Sequence, residues 1–136
     1  MTKKQAIDSV NRFMTLLLTD FPSCLDLLAG EFVWENHLPP HVPFGGRYVG
    51  PQGLQRYLEE LSAAWVIGEL VFHDFIFDPD TRILAATGVE RNGQSKTTGR
   101  TCDMPFVWEF RFDSEGKLTY LREYNDTASI GGTFDA

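Results

Sequence analysis

The residue whose surroundings point most directly to chemistry is Glu123, in a β-rich run near the end of the chain. Because side chains of a strand alternate between two faces, Glu123 shares its face with Leu121 and Asn125. A carboxylate that faces an apolar wall is either paired or has a raised pKa, and a raised pKa makes it a usable general base. The sequence therefore predicts Glu123 as a catalytic base. A structural ion pair with an arginine, or a solvated strand end, is the alternative.

Asn36 is the second candidate and ends the strand-like run 32–37, in which alternation places it on the same face as Trp34. Its amide offers both a donor and an acceptor, so it could orient a carbonyl or a water molecule toward Glu123. Asparagine also serves turns, and capping the turn into Leu38 is the alternative role. We expect Asn36 to act as a polar positioning residue.

The run 100–112 alternates more clearly than any other part of the chain, with a face on which every residue from Cys102 to Phe112 is apolar. Flat aromatic rings suit a ring-bearing ligand, so this face predicts one wall of a small-molecule pocket. The residues expected to contact a small apolar ligand there are Trp34, Trp108, Phe106, Phe13, Tyr57 and Leu121.

Charge and composition exclude several kinds of partner. The net charge is −7, and the basic residues are scattered rather than gathered into a stripe that could neutralise phosphates, which argues against nucleic acid. No apolar run approaches the length needed to span a bilayer, so no membrane association is expected. Cys24 and Cys102 lie far apart without a metal or redox spacing, which predicts free thiols and a cytoplasmic location.

Metal and cofactor motifs are absent from the sequence. His37, His41 and His73 do not have the spacing of a metal site. The glycine pair Gly45-Gly46 is followed by no lysine of a phosphate-binding loop, and no dinucleotide fingerprint occurs. We therefore expect neither a metal nor a cofactor.

The elements that must position these residues form an α+β plan within a single domain, 1–136. Helices come first, and the last half of the chain is β-rich, so helices should cover one face of a strongly curved, mainly antiparallel sheet and enclose a cone-shaped pocket. Pro105 predicts a bulge or an edge in its strand. The expected segments are a helix capped by Thr2, a short helix 23–29, a strand 32–37, a loop 38–50, a helix from Pro51, a hairpin 66–77 and 83–91, a loop 92–99, strands 100–112 and 117–127, and a short tail from Ala128.

This order of elements, with five short motifs, resembles the SnoaL-like branch of the nuclear transport factor 2-like superfamily. The motifs are Trp34-Glu35-Asn36, Gly46-Arg47-Tyr48-Val49-Gly50, Thr98-Gly99-Arg100, Gly116-Lys117-Leu118 and Arg122-Glu123-Tyr124-Asn125-Asp126. The resemblance implies the cone fold and makes the face that carries Glu123 the cavity side. Because this fold hosts polyketide cyclases, ketosteroid isomerases, limonene epoxide hydrolases and binding proteins, it does not determine the reaction.

The match to the ketosteroid isomerases lacks their functional groups. Their helical tyrosine, aspartate base and protonated aspartate fall here at Phe13, Asn36 and Trp108. Proton shuttling of that kind needs a carboxylate base and an acidic donor to the developing oxyanion. The resemblance therefore excludes ketosteroid isomerase chemistry.

The other two enzyme groups match in part. The first-strand Asn and last-strand Asp of the epoxide hydrolases match Asn36 and Glu123, but their first-strand Tyr falls at Trp34. Glu90 and Arg91 are adjacent, so on a regular strand they point to opposite faces and cannot reproduce the hydrolases' Arg-x-Asp pair. The catalytic Asp of the SnoaL-like cyclases also falls on Glu123, while their fourth-strand His is replaced by a tryptophan.

The resulting hypothesis is a cofactor-independent isomerase, cyclase or hydrolase acting on an apolar, cyclic, oxygenated compound, with Glu123 as base and Asn36 as positioner. The alternative is a non-catalytic ligand-binding or dimeric interaction domain. We also expect a homodimer through the outer sheet face that carries Val107, because that face mixes apolar and charged residues as interfaces do.

Overall fold

A computed structural model describes residues 1–136, and it confirms the α+β class. Four helices accompany one curled, mixed sheet of seven strands. In chain order the elements are α1 (Lys3–Thr19), α2 (Phe21–Leu25), β1 (Leu28–Asn36), β2 (Gly46–Val49), α3 (Gly50–Ala64), β3 (Trp65–Val66), β4 (Glu69–Asp78), β5 (Ile83–Ser95), β6 (Thr101–Phe112), β7 (Leu118–Asn125) and α4 (Thr127–Gly132).

The first two helices begin at capped positions. Thr2 and Gln5 form the expected capping box, in which the Thr2 side chain accepts from Gln5 N and the Gln5 side chain accepts from Thr2 N. The second helix begins earlier than predicted, because the Asp20 side chain caps it by accepting from Ser23 N. The predicted helix over 23–29 is therefore wrong at its end, where Leu28 already belongs to β1.

The sheet has the order β2-β1-β7-β6-β5-β3, with β4 also paired to β5. All neighbours are antiparallel except β1 and β7, which run parallel. The predicted loop 38–50 contains β2, which pairs with β1. Helices α1 and α3 pack on the concave face, and the buried side chains of β6, from Met104 to Phe112, point into the core that these helices close. The sheet thus forms half of a barrel around the inner aromatic face.

Irregular pairing bends the sheet. Register shifts occur in β4 between Phe72 and Asp74 and in β5 between Glu90 and Gly93. Because of the second shift, β5 continues to Ser95 through part of the predicted loop 92–99. A side chain at position 68 would stand 1.9 Å from the carbonyl oxygen of Arg91 in β5, so the close approach of the β3–β4 connection to β5 requires Gly68.

Pro105 lies in regular register with Val89, so the expected bulge is not at this residue. The Pro105 carbonyl oxygen accepts from Asp126 N at 3.0 Å. Because the nitrogen and the carbonyl of one strand residue point to the same edge, the Pro105 nitrogen also faces the side of β7, just beyond its end at Asn125. No strand hydrogen bond is lost there, because Pro105 stands at a local edge.

The end of the chain contains a short helix that was not predicted. Residues 127–132 form α4, which the Asp126 side chain caps by accepting from Ser129 N. Ile130 is fully buried against the core, and Phe134 stacks on Trp65 at 5.9 Å. The short tail expected from Ala128 is therefore a helix that closes one end of the fold. No helix of the structure combines the length and the apolar character needed to cross a membrane.

Candidate active site

A cavity of about 120 Å³ lies between the helices and the concave face of the sheet. Fourteen of its eighteen lining residues are hydrophobic, and the other four are Asn36, Glu90, Glu123 and Asn125. A larger apolar groove outside it shares six of the same residues, Leu17, Leu18, Leu58, Leu61, Trp65 and Ile67. The shared residues lie between the end of α1, the end of α3 and the start of β4, and they form the mouth of the cavity.

Glu123 is one of the two carboxylates of the cavity, and the structure places it on the inner face of β7 with Leu121, as alternation predicts. Its side chain is 6% exposed. Parallel pairing of β1 with β7 sets Asn36 directly opposite Glu123, and the antiparallel neighbour β6 sets Trp108 on its other side. Three sheet strands therefore bring Asn36, Glu123 and Trp108 together from distant parts of the chain.

A hydrogen-bond network orients the polar groups of the cavity. Trp108 Nε1 donates to Asn125 Oδ1 at 3.0 Å, and because an indole nitrogen only donates, this contact fixes which end of the Asn125 amide faces Trp108. Asn125 Nδ2 then donates both to Glu123 Oε2 at 2.9 Å and to Asn36 Oδ1 at 3.2 Å. On the other side Tyr57 Oη donates to Glu123 Oε1 at 3.4 Å.

Asn36 does not cap the turn that follows it with its side chain. The turn is closed by backbone groups, with Leu38 N donating to the Asn36 carbonyl oxygen. The amide oxygen of Asn36 is engaged by Asn125, so its Nδ2 group is the end that remains to donate to a ligand. The structure thus places Asn36 where a positioning residue would stand.

Burial raises the pKa of Glu123 to about 7, and the charge of Glu90 adds to the rise. Polar hydrogens of Asn125, Trp34 and Tyr57 favour the carboxylate and partly offset it. Tyr57 stays protonated, because burial and then the nearby carboxylates raise its pKa well above 10. At neutral pH Glu123 is therefore close to half ionised, which suits a group that both accepts and returns a proton.

Trp34 holds an unsatisfied donor in this cavity. Its side chain is 2% exposed, and its Nε1 approaches Glu123 without making a hydrogen bond of good geometry to any protein group. A buried donor without a partner costs about 1–3 kcal/mol, so such groups usually meet a ligand or a water molecule. The Trp34 N–H is thus available to an acceptor that enters beside Glu123.

Glu90 is a site residue that the sequence reasoning missed. It is 6% exposed, lines the cavity from β5, and its Oε2 accepts from Trp65 Nε1 at 2.8 Å and from Gly68 N at 3.1 Å. Alternation with Leu84 on the inner face of β5 could have identified it.

The predicted ligand contacts divide into two groups. Trp34, Tyr57 and Trp108 line the cavity. The other three lie outside the lining and support it: Phe13 packs against the Trp34 ring at 6.0 Å, Phe106 stacks on Trp108 at 4.2 Å, and Leu121 is fully buried opposite Trp34. Phe13 and Phe106 pack against the tryptophan rings that line the cavity, so a side chain that faces the core need not reach the cavity itself.

The cavity contains no cationic side chain, so the alternative of an ion pair between Glu123 and a cavity arginine does not hold. Arg122, the neighbour of Glu123, lies on the outer face, with its guanidinium 4.5 Å from the centre of the Tyr124 ring. No cluster of three or more His, Cys, Asp or Glu side chains suitable for a metal ion occurs in the structure.

Comparison with known proteins places the chain among proteins of similar shape. Residues 10–121 match the family described as SnoaL-like domain, whereas no curated protein matches the chain. A nuclear transport factor 2-like protein from Burkholderia xenovorans LB400 has a TM-score of 0.84 at 21% identity, covering 99% of each chain. TerC, co-crystallised with polyporic acid, has a TM-score of 0.78 at 17% identity, covering 97% of this chain and 99% of its own.

The BvnE pinacolase from Penicillium brevicompactum is also similar, with a TM-score of 0.72 at 18% identity over 95% of this chain and 91% of its own. Identities of this size show a shared fold and leave the reaction to be argued from the residues of the site.

Proposed function

Because this chain belongs to the SnoaL-like domain family, we propose that it is an isomerase or cyclase that needs no cofactor and acts on an apolar, cyclic, oxygenated compound. The resemblance seen in the sequence motifs is confirmed for family and fold. The observation that carries the proposal is Glu123, a buried carboxylate of pKa about 7 that faces an aromatic cavity without a cationic partner. Evolved acid-base groups have this character, whereas a purely structural carboxylate is normally paired.

The proposed step is proton transfer beside a carbonyl group. The Glu123 carboxylate takes a proton from the carbon next to the carbonyl, and the negative charge moves to the substrate oxygen. Trp34 Nε1 and Asn36 Nδ2 are the free donors that would bind that oxygen. In an isomerisation, protonated Glu123 then returns the proton at a second carbon. In a cyclisation, the enolate carbon attacks a second carbonyl carbon of the same substrate, and Glu123 returns the proton to the alkoxide that forms. Water activation by Glu123, as in a hydrolase, would use the same groups.

The test follows proton exchange at the carbon next to the carbonyl in a panel of cyclic ketones dissolved in D2O, read by NMR. We expect Glu123→Gln to slow exchange by on the order of 100-fold or more, since a positioned base contributes that much. The wild-type rate should rise with pH around a midpoint near 7, as Glu123 ionises. Glu115→Gln, at an exposed turn, is the matched control and should leave the rate unchanged. Equal exchange in Glu123→Gln and wild type would refute the proposal.

A non-catalytic ligand-binding domain is the second candidate, and the observation that favours it is Trp108, which stands where related enzymes keep an acid or a histidine. Under this alternative a cyclic ketone would bind in the cavity and shield its tryptophans from solvent. The protein would not raise the rate of proton exchange of any ketone in the panel above the rate in buffer.

We further propose that two copies associate through the outer sheet face. Val107 and Tyr124 are register partners on that face and are 41% and 47% exposed, although both are large and apolar. Charged neighbours on the same strands, Glu109, Arg111 and Arg122, would form the polar rim. A small apolar centre inside a polar rim is typical of a dimer contact.

A further inference from the structure

The charges of the cavity are unbalanced. Glu90 and Glu123 enter it from β5 and β7, each 6% exposed, and none of the eighteen lining residues is Lys, Arg or His. The two carboxylates act on each other, because the charge of Glu90 raises the pKa of Glu123. An anionic ligand would bring a further negative charge into the space of about 120 Å³ that these two carboxyl groups share. The lining of this cavity therefore disfavours an anionic ligand.

Glu90 is held in place by the fold. Two donors, Trp65 Nε1 and Gly68 N, bind the same oxygen, Oε2, so the second oxygen of the carboxylate is not engaged by either. A side chain at Gly93 would stand 2.5 Å from Glu90 Oε2, which means that the backbone at the β5 bulge leaves room for this carboxylate. The register shift in β5 and the two donors therefore hold the Glu90 carboxylate in place at the cavity wall.

Aromatic rings surround the two carboxylates. Trp34 and Tyr57 have ring centres 4.6 Å apart, and Trp65 packs against Phe44 at 6.0 Å, with Trp108 on the sheet wall. Ring faces attract cations, and a desolvated contact of this kind contributes roughly 2 kcal/mol. The carboxylates and the ring faces thus both favour a positively charged ligand, while a neutral ligand gains only the apolar contact with the rings.

We infer that the ligand of this cavity carries a positively charged nitrogen, as a protonated or quaternary amine small enough to lie between Glu90 and Glu123. This inference rests on the proposed function, in which the same cavity binds the substrate, and it adds a charge to the substrate class. A substrate ammonium group would offset both carboxylates and would stabilise the negative charge that proton transfer to Glu123 leaves on the substrate oxygen.

The test compares choline with 3,3-dimethyl-1-butanol, which has the same shape but carbon in place of the charged nitrogen. Binding is measured by titration calorimetry or by quenching of tryptophan fluorescence. We expect choline to bind at least about tenfold more tightly to wild type, and Glu90→Gln to remove that advantage without weakening the neutral alcohol. Glu115→Gln is the control and should behave as wild type.

The pH dependence gives an independent readout. The titratable groups that act on Glu123 are Glu90 from β5 and Tyr57 from α3, and Tyr57 remains neutral over the range used. Choline binding should therefore tighten as the pH rises from about 5.5 to 8.5 in wild type and should stay flat in Glu123→Gln. Equal affinities for choline and the alcohol, or no binding of choline, overturn the inference. Those results would leave the exchange test of Glu123 as a base unaffected.

Discussion

Replacing Glu123 by Gln should stabilise the folded protein at neutral and alkaline pH. The ordinary pKa of this carboxyl is 4.5, and burial together with Glu90 raises it to about 7 in the fold. Between these two values the folded state holds more protons than the unfolded state, so the free energy of unfolding falls as the pH rises. Protonated Glu123 stabilises the fold fully at pH values below 4.5, the pKa in the unfolded chain. This stabilisation is lost as the pH rises through about 7, the pKa in the folded protein.

The size of the effect follows from the difference in pKa. One pKa unit corresponds to 1.36 kcal/mol, so a rise from 4.5 to about 7 costs the ionised protein about 3 kcal/mol. Gln has nearly the shape of protonated Glu but does not ionise. We therefore expect Glu123→Gln and wild type to be similar near pH 4.5 and to differ by about 3 kcal/mol above pH 7, with the variant more stable.

Urea unfolding at several pH values between about 4.5 and 8.5 measures this difference, because titrating groups that do not interact with Glu123 cancel when variant and wild type are compared at each pH. Glu90→Gln gives a second check. Removal of the Glu90 charge should lower the pKa of Glu123 and shrink the pH-dependent difference. Parallel stability curves for Glu123→Gln and wild type over the whole range would refute the account of Glu123 as a desolvated carboxylate.

Gly93→Ala should destabilise the fold by about 1–3 kcal/mol in thermal or urea unfolding, because its Cβ would stand 2.3 Å from a buried tryptophan ring, whereas Gly132→Ala has nothing within 4 Å and should change little. Similar losses for the two variants would argue against the tight packing at the β5 bulge. Val107→Asp should convert a dimer to a monomer in sedimentation or light scattering, and a wild-type protein that is monomeric at high concentration would contradict the proposed interface. Trp34→Phe should raise the pKa of Glu123 in an NMR titration, because the Trp34 N–H favours the ionised carboxylate, and an unchanged pKa would contradict this role of the Trp34 donor.

Strand alternation is the part of the fold that the sequence predicts best. The inner positions of β6 and the inward direction of Glu123 follow from a period of two along each strand, and burial agrees at Met104, Phe106, Trp108 and Phe110. The same rule applied to β5 would have included Glu90. Glu90 is the last residue of β5 in regular register with β6, and the register shift that follows it leads into a segment predicted as a loop.

Segment ends and short elements were less predictable. The strand β2 and the helix α4 have few residues, and each is held by contacts that are remote in the chain: β2 pairs with β1, and α4 packs on the core through Ile130. Contacts with remote residues produce no periodic pattern in the sequence of the short segment itself, so β2 and α4 could not be predicted from it. The mean propensity of a short segment is weak compared with the free energy of its tertiary packing.

The sequence by itself determines the α+β class, the aromatic face of β6 and the presence of an inward carboxylate at Glu123, since side-chain direction within a strand is set by local covalent geometry. Only the tertiary structure decides that β1 runs parallel to β7, which sets Asn36 beside Glu123, and that Glu90 shares their cavity. The raised pKa of Glu123 also depends on the tertiary structure, because it arises from the exclusion of water by several elements and from the charge of Glu90 on another strand. Strand order and desolvation depend on the packing of the whole chain, and no local stretch of residues contains them.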